Sequence, residues 1–311
     1  MRIHLVFLSM IIFSAKSLAA IYGKDDLVPV FKAPTAYQNA AKSVAVFTGR
    51  NFLTLAGNQY KLQMWTLDDS AYLCKDSPWH KYEAFPVACT GFLIAPDLMI
   101  TAGHCMVNFG EATNEVTPQC RDFVFIFDMD FNFGLKVPRV VQETQVAECA
   151  QVIKAVHNSI PDPKTGKSEF KDDYALIRLK KPMPYPLVKL SDVVPAVAER
   201  ISFIGHPLGT GKMYGTGKIL SKEPTYLRSN LDAFEGHSGS PVFNQAGEVF
   251  GALVRGYPET LIEGQDQTCN LINHCDEDGI KCQQNDLVER HMGEHVQPLS
   301  KTFVQSLLQG Q

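Results

Sequence analysis

Three short stretches set a basic, an acidic and a nucleophilic side chain among glycines and small residues: Thr101-Ala102-Gly103-His104-Cys105, Asp172-Asp173-Tyr174-Ala175-Leu176-Ile177, and Gly236-His237-Ser238-Gly239-Ser240-Pro241. Each alone has an ordinary structural reading, as packing, a turn residue or a tight turn. Their chemistry appears only in combination. A serine hydroxyl attacks a carbonyl at neutral pH when an imidazole takes its proton. An imidazole, ordinarily titrating near about 6.5, can accept that proton and hand it to a leaving amine. An ionised, buried carboxylate then fixes the imidazole tautomer and stabilises its charged form. His104, Asp173 and Ser238 are separated by 69 and 65 residues, so a fold must bring them together.

The elements available for that task are mostly strands. Apolar runs are short, rich in Val, Ile and Phe, and punctuated by Gly, Pro, Asn and Asp. The pattern predicts strands over 43–47, 89–94, 98–102, 123–127, 150–156, 174–179, 201–204, 213–220, 240–243 and 249–254. Ala95-Pro96-Asp97 and Gln245-Ala246-Gly247-Glu248 read as hairpin turns. Leu299, Phe303, Val304 and Leu307 recur at helical spacing, which predicts an amphipathic helix over 298–308. Prolines at 182, 184, 186 and 195 mark 180–197 as an extended connection between two strand-rich halves. Residues 256–293 carry little strand signal but three cysteines, and read as a stapled insertion or long loop.

Composition narrows the function classes. Among 311 residues, 29 Lys and Arg stand against 33 Asp and Glu, for a net charge of −4 and no basic block, which argues against nucleic acid as a partner. Met1-Arg2-Ile3-His4, an apolar stretch to Ala15, and Lys16-Ser17-Leu18-Ala19-Ala20 follow the order of a secretory signal, with cleavage after Ala19 or Ala20. Lys16 interrupts the stretch too early for a membrane span of about 20 apolar residues, so no membrane association is expected after removal. The expected location is secreted or periplasmic. Eight cysteines, all after the leader, suit a disulfide framework in an oxidising compartment.

The three motifs, in His, Asp, Ser order, resemble those of the trypsin-like (chymotrypsin-fold) serine peptidases. The resemblance implies an all-β fold of two six-stranded antiparallel barrels with a C-terminal helix. It places a signal peptide over 1–19, an extension over 20–42, a first barrel with His104 and Asp173 over 43–187, and a second barrel with Ser238, a Cys-rich insertion (256–293) and the helix over 188–311. It assigns Ser238 as nucleophile, His104 as base and then acid, Asp173 rather than Asp172 as the orienting carboxylate, and the N–H groups of Gly236 and Ser238 as the oxyanion hole. It also implies a Cys89–Cys105 disulfide holding the His104 loop. Ser240, and Ile21-Tyr22-Gly23-Lys24-Asp25-Asp26, resemble the bacterial V8-like, glutamyl endopeptidase branch, although Leu27 stands where such members often carry Arg. His237 occupies the place of the aspartate that pairs with the freed N-terminal amine in trypsins, so that switch does not carry over; His237 reads as structural.

Specificity is open at this stage. Asp232, six residues before Ser238, occupies the pocket-floor position of trypsin and would favour Lys or Arg, or it belongs only to a turn. Leu253 stands where glutamyl endopeptidases carry a carboxylate-reading His, and Arg255 could meet an acidic side chain instead. Cys120 and Cys149 are candidates to pair, while Cys74, Cys269, Cys275 and Cys282 are undecided. A zinc site from Cys269, Cys275, Cys282 and His274 is the weaker alternative to disulfides, and Asp276-Glu277-Asp278-Gly279 reads as a solvated acidic turn rather than a calcium loop. The expected function is a secreted, monomeric serine endopeptidase acting on protein or peptide substrate, with a basic P1 preference read from Asp232 and without metal or cofactor. The alternatives are a catalytically silent binding protein and a peptidase with acidic preference.

Overall fold

The computed structural model describes residues 20–132, 134–161, 168–256, 261–264, 268–283 and 293–309. The expected leader lies outside them. Six strands form the first barrel: β1 (Val44–Gly49), β2 (Cys89–Ala95), β3 (Leu98–Thr101), β4 (Phe123–Ile126), β5 (Val146–Pro161) and β6 (Ser168–Leu179). They pair antiparallel in the ring β5-β4-β1-β2-β3-β6, closed by β6 on β5. Three register shifts along β5 and β6 supply the bends that closing a sheet requires. Phe47, Leu93, Met99, Phe125, Val152 and Ile177 fill the interior, with the Phe47 and Phe125 rings 4.6 Å apart.

The second barrel comprises β7 (Arg200–Gly205), β8 (Met213–Lys222), β9 (Leu227–Ser229), β10 (Pro241–Phe243), β11 (Val249–Arg255) and β12 (Glu294–Pro298). Its ring runs β7-β10-β11-β12-β9-β8 and closes through β8 on β7, again antiparallel throughout. Phe203, Val242, Phe250 and Val296 pack inside it. The two barrels and the short helix α1 (Lys301–Gln309) are the architecture that the sequence motifs imply. The helix returns to the first barrel, where Phe303 meets Tyr174 of β6 edge to face at 5.2 Å.

All ten expected strands form, eight of them with small changes at the ends; β5 runs well beyond its predicted 150–156 at both ends, and β6 starts six residues before its predicted 174–179. β9 and β12 escape a hydrophobic reading, because β12 buries Glu294, His295 and Gln297 beside Val296. The 256–293 stretch also holds more structure than a loop. Leu261–Glu263 pairs with Asn270–Ile272, and His274–Cys275 runs parallel to Ile21–Tyr22. The N-terminal extension is therefore knitted into the second half, with Val28–Pro29 also paired to the start of β8.

All eight cysteines are bonded: Cys74–Cys269, Cys89–Cys105, Cys120–Cys149 and Cys275–Cys282. This corrects the zinc alternative, since Cys269, Cys275 and Cys282 have no thiolate left to offer a metal. The Cys74–Cys269 bond staples the 256–293 segment to the loop that precedes β2.

Between the barrels lies His206, fully buried, whose Nδ1–H donates to Thr210 O at 3.1 Å. Its Nε2 is buried and has no partner among the described residues. Burial first, and the nearby Lys212 ammonium second, push its pKa down to about 3. Below about pH 6.5 the unfolded imidazole takes a proton that the folded one refuses, so stability falls as pH is lowered from 6.5 toward 3, by at most about 1.4 kcal/mol per pH unit from this group. His206→Asn keeps a donor for Thr210 O and does not titrate. Thermal denaturation across pH should show the variant less stable than the parent at pH 7.5, with the deficit shrinking between pH 6.5 and 4; a constant deficit would contradict a buried neutral imidazole.

Candidate active site

Antiparallel pairing of β3 with β6 sets Thr101 opposite Ala175, so the chain leaving β3 comes alongside Asp173, within β6. His104 and Asp173 are the polar groups placed there. The Asp173 carboxylate is buried, with 2% of its side chain accessible. Its Oδ1 accepts the His104 backbone N–H at 2.9 Å, and its Oδ2 accepts the His104 ring Nδ1–H at 2.9 Å. The Cys89–Cys105 bond, next in sequence to His104, ties that loop to the start of β2. Asp172 takes no part in this pairing.

The second barrel also reaches Asp173. Arg255, at the end of β11, donates from Nη2 to Asp173 Oδ2 at 2.8 Å, and the Gln297 side chain of β12 accepts the Asp173 backbone N–H at 3.0 Å. Burial alone would raise the Asp173 pKa. The His104 charge and hydrogen bond, followed by Arg255, outweigh it and hold the carboxyl well below the usual range, so Asp173 is ionised at neutral pH. His157, the cross-strand partner of Asp173, has its ring 5.6 Å from that of His104. Burial pushes its pKa down to about 4, which leaves it neutral beside the pair.

Ser238 follows a tight turn whose shape depends on glycine. Gly236 has φ of +93° and Gly239 +87°, the left-handed region that glycine tolerates best. A Cβ at Gly239 would lie 2.1 Å from Thr90 O and 2.4 Å from Thr101 Oγ1, so the Ser238 turn packs directly against the strands leading to His104. Thr90 of β2 is the stitch between the barrels. Its N–H donates to Ser238 O at 2.7 Å and its hydroxyl to Gly236 O at 2.7 Å, while the same Oγ1 accepts His206 N–H at 3.2 Å. The N–H groups of Gly236 and Ser238 have no partner among the described residues, as donors to a developing oxyanion must. The Ser238 hydroxyl itself turns to Val254 O at 3.5 Å rather than to the His104 ring.

A sequence profile for the family described as Trypsin-like peptidase domain matches residues 89–251, just over half of the chain. The chain belongs to that family. The matched span takes in His104, Asp173, Ser238 and the Gly236 turn, while Arg255 and Gln297 of this trypsin-like domain fall beyond it. No curated protein matches the sequence. Among solved structures, a Glu endopeptidase in complex with MPD is 16% identical over 93% of this chain and 98% of its own, with a TM-score of 0.47. A serine endoprotease from Yersinia pestis is 15% identical over 73% of this chain and 61% of its own, with a TM-score of 0.40. Family membership rests on the profile, and the fold on the two closed barrels.

The expected substrate-pocket residues sit elsewhere. Both Asp232 oxygens are taken up, Oδ1 by Tyr22 N–H at 2.7 Å and Oδ2 by Asp26 N–H at 3.1 Å. Burial raises its pKa to about 8, against the two hydrogen bonds that favour its charge. The expectation of a pocket-floor anion therefore gives way to a clasp on the N-terminal segment. Leu253 is buried in the barrel core, and Arg255 faces Asp173 rather than a substrate acid. His237 is structural: its Nδ1 accepts Phe234 N–H at 3.0 Å, its ring meets Phe203 at 4.8 Å, and burial drives its pKa far down.

Sequence reasoning passed over Thr90 because a lone threonine in a strand carries no signal. Its importance lies in three hydrogen bonds across the barrel interface. Thr90→Val keeps the shape and removes the hydroxyl, leaving the buried Gly236 carbonyl and His206 N–H without that partner, a cost of about 1–3 kcal/mol per orphaned group. Chemical denaturation should show a stability loss of about 2–6 kcal/mol for the two groups together, with slower reaction of Ser238 with a serine-directed phosphonylating reagent. Unchanged values on both counts would show that the stitch is dispensable.

Proposed function

We propose that the chain is an exported serine endopeptidase that hydrolyses peptide bonds through an acyl-enzyme on Ser238. The observation that carries this reading is the His104–Asp173 pair, buried and charged on the carboxylate side, with the nucleophile turn docked beside it by Thr90. Asp173 accepts at Nδ1, so the neutral imidazole carries its proton there and leaves Nε2 free to act as base. The Ser238 hydroxyl swings from Val254 O to Nε2 when substrate engages, as catalytic hydrogen bonds commonly tighten only then. Its oxygen attacks the carbonyl, the proton passes to His104, and the oxyanion meets the N–H groups of Gly236 and Ser238. His104 then gives the proton to the leaving amine, and water repeats the sequence to release the acid.

Four disulfides and the leader-like start support an oxidising compartment outside the cytoplasm. Ser240 after Ser238-Gly239 supports the V8-like branch. Preference at the scissile residue finds no support in Asp232 or Arg255, because each is committed to an internal partner.

Two measurements test the reading. Peptide mapping after treatment with a phosphonylating reagent should place the label on Ser238, and Ser238→Ala should lose label and on the order of 10⁶ of turnover on a peptide library. A folded chain with no label and no cleavage would leave a binding protein. Arg255→Gln should preserve folding but lower kcat/KM and slow the labelling of Ser238, since the buried Asp173 carboxylate loses the guanidinium that helps to hold its charge beside His104. Values identical to the parent on both counts would mean that Arg255 does not act on the pair.

A further inference from the structure

Two carboxylates lie buried on either side of the N-terminal segment, Asp232 and Glu294, and no Lys, Arg or His among the described residues forms an ion pair with either. A buried carboxyl ionises only beside a cation, so with none in place these two groups are held in their acid form and the arrangement has room for one. Asp232 is bound by the N–H groups of Tyr22 and Asp26. Glu294 receives the Tyr22 hydroxyl at 3.4 Å and the backbone N–H of Ala20. Burial drives the Glu294 carboxyl well up, and the Asp232 charge adds to the effect. Ala20, Ile21 and Tyr22 are all buried, an unusual environment for residues next to a leader. The neighbouring N–H, that of Ile21, is already used by Asn273 O at 3.0 Å, within the parallel pairing of Ile21–Tyr22 with His274–Cys275.

We propose that hydrolysis of the Ala19–Ala20 bond creates the missing cation: the freed Ala20 α-ammonium stays where its N–H now lies and pairs with the Glu294 carboxylate. Water supplies the hydroxyl to the Ala19 carbonyl and one proton to the Ala20 nitrogen, the bond being cut by an endopeptidase of the export pathway; the resulting amine takes its further proton from the Glu294 carboxyl, which becomes the paired carboxylate. A free α-amine ordinarily titrates near about 8 and is held protonated by an adjacent carboxylate. The ligand class is thus a primary ammonium, supplied by the chain itself, and Ser17-Leu18-Ala19 has the small residues that leader removal prefers.

The site is coupled to the peptidase machinery, and this consequence rests on the peptidase reading. The Glu294 carboxylate packs against Gly256, where a Cβ would fall 1.9 Å from Oε2. Gly256 follows Val254 and Arg255, which touch Ser238 and Asp173 respectively. Asp232, in turn, lies on the segment that runs into the Gly236 turn. Seating the ammonium therefore braces both walls beside the nucleophile.

The test begins with the chain expressed with its leader, exported and disulfide-bonded. Intact mass and N-terminal sequencing should find Ala20 first; a chain beginning at Ile21 or beyond, or retaining the leader, would overturn the proposal. A chain with one Gly added before Ala20, Glu294→Gln, and the two combined are then compared with the parent in thermal unfolding and in the rate of Ser238 phosphonylation. Each single change should lower the melting temperature by several degrees and slow labelling about tenfold, and the combination should be no worse than either. Additive losses, or a Gly extension without effect, would overturn the ammonium site. Coupled losses of stability with no labelling in any chain, the parent included, would support the ammonium site and contradict the peptidase reading.

Discussion

The structure turns on one buried negative charge. A carboxylate removed from water is costly unless cations and hydrogen-bond donors surround it, and Asp173 is surrounded from both halves of the molecule. The first barrel supplies the backbone N–H and ring of His104, and the second supplies the Arg255 guanidinium and the Gln297 amide that fixes the Asp173 backbone. Meeting that requirement orients the imidazole, docks the barrels and sets the distance from His104 to the Ser238 turn. Stability and chemistry share the same contacts here, so a change on either side of the cleft reaches the other.

Much of this was legible in the chain. The β-branched and aromatic runs mark most of the strands, and the three motifs show as polar side chains set among glycines and small or apolar neighbours. The Cys89–Cys105 bond and the closing of two barrels followed from resemblance rather than from spacing. What stayed hidden has a common cause. β12 buries Glu294, His295 and Gln297 on both faces around Val296, so the strand carries no apolar alternation and reads as loop. Arg255 at a strand end reads as solvated until the register of β11 on β12 brings it to Asp173. Asp232 reads as a pocket floor because its partners are backbone N–H groups of Tyr22 and Asp26, more than 200 residues away and carrying no side-chain signature. Long-range polar partnerships of this kind leave no periodic trace.

The additions to the two barrels converge on the second one. The N-terminal segment pairs with His274–Cys275 and with β8, and the Cys275–Cys282 and Cys74–Cys269 bonds hold the surrounding loops. In this chain the position before Ser238 is a buried neutral imidazole, His237, which packs the turn through Phe203 and Phe234 N–H. The acidic groups that hold the N-terminal segment are instead Asp232, through the N–H groups of Tyr22 and Asp26, and Glu294, through the Tyr22 hydroxyl.

The central claim, that Asp173 fixes the His104 tautomer across the cleft, is tested most directly by proton and nitrogen NMR of the histidine rings in the folded chain at neutral pH. The account predicts a strongly deshielded, slowly exchanging Nδ1–H signal from His104 that disappears in Asp173→Ala, with Nε2 unprotonated in the parent. A His104 ring carrying its proton on Nε2, with no Nδ1–H signal dependent on Asp173, would contradict it.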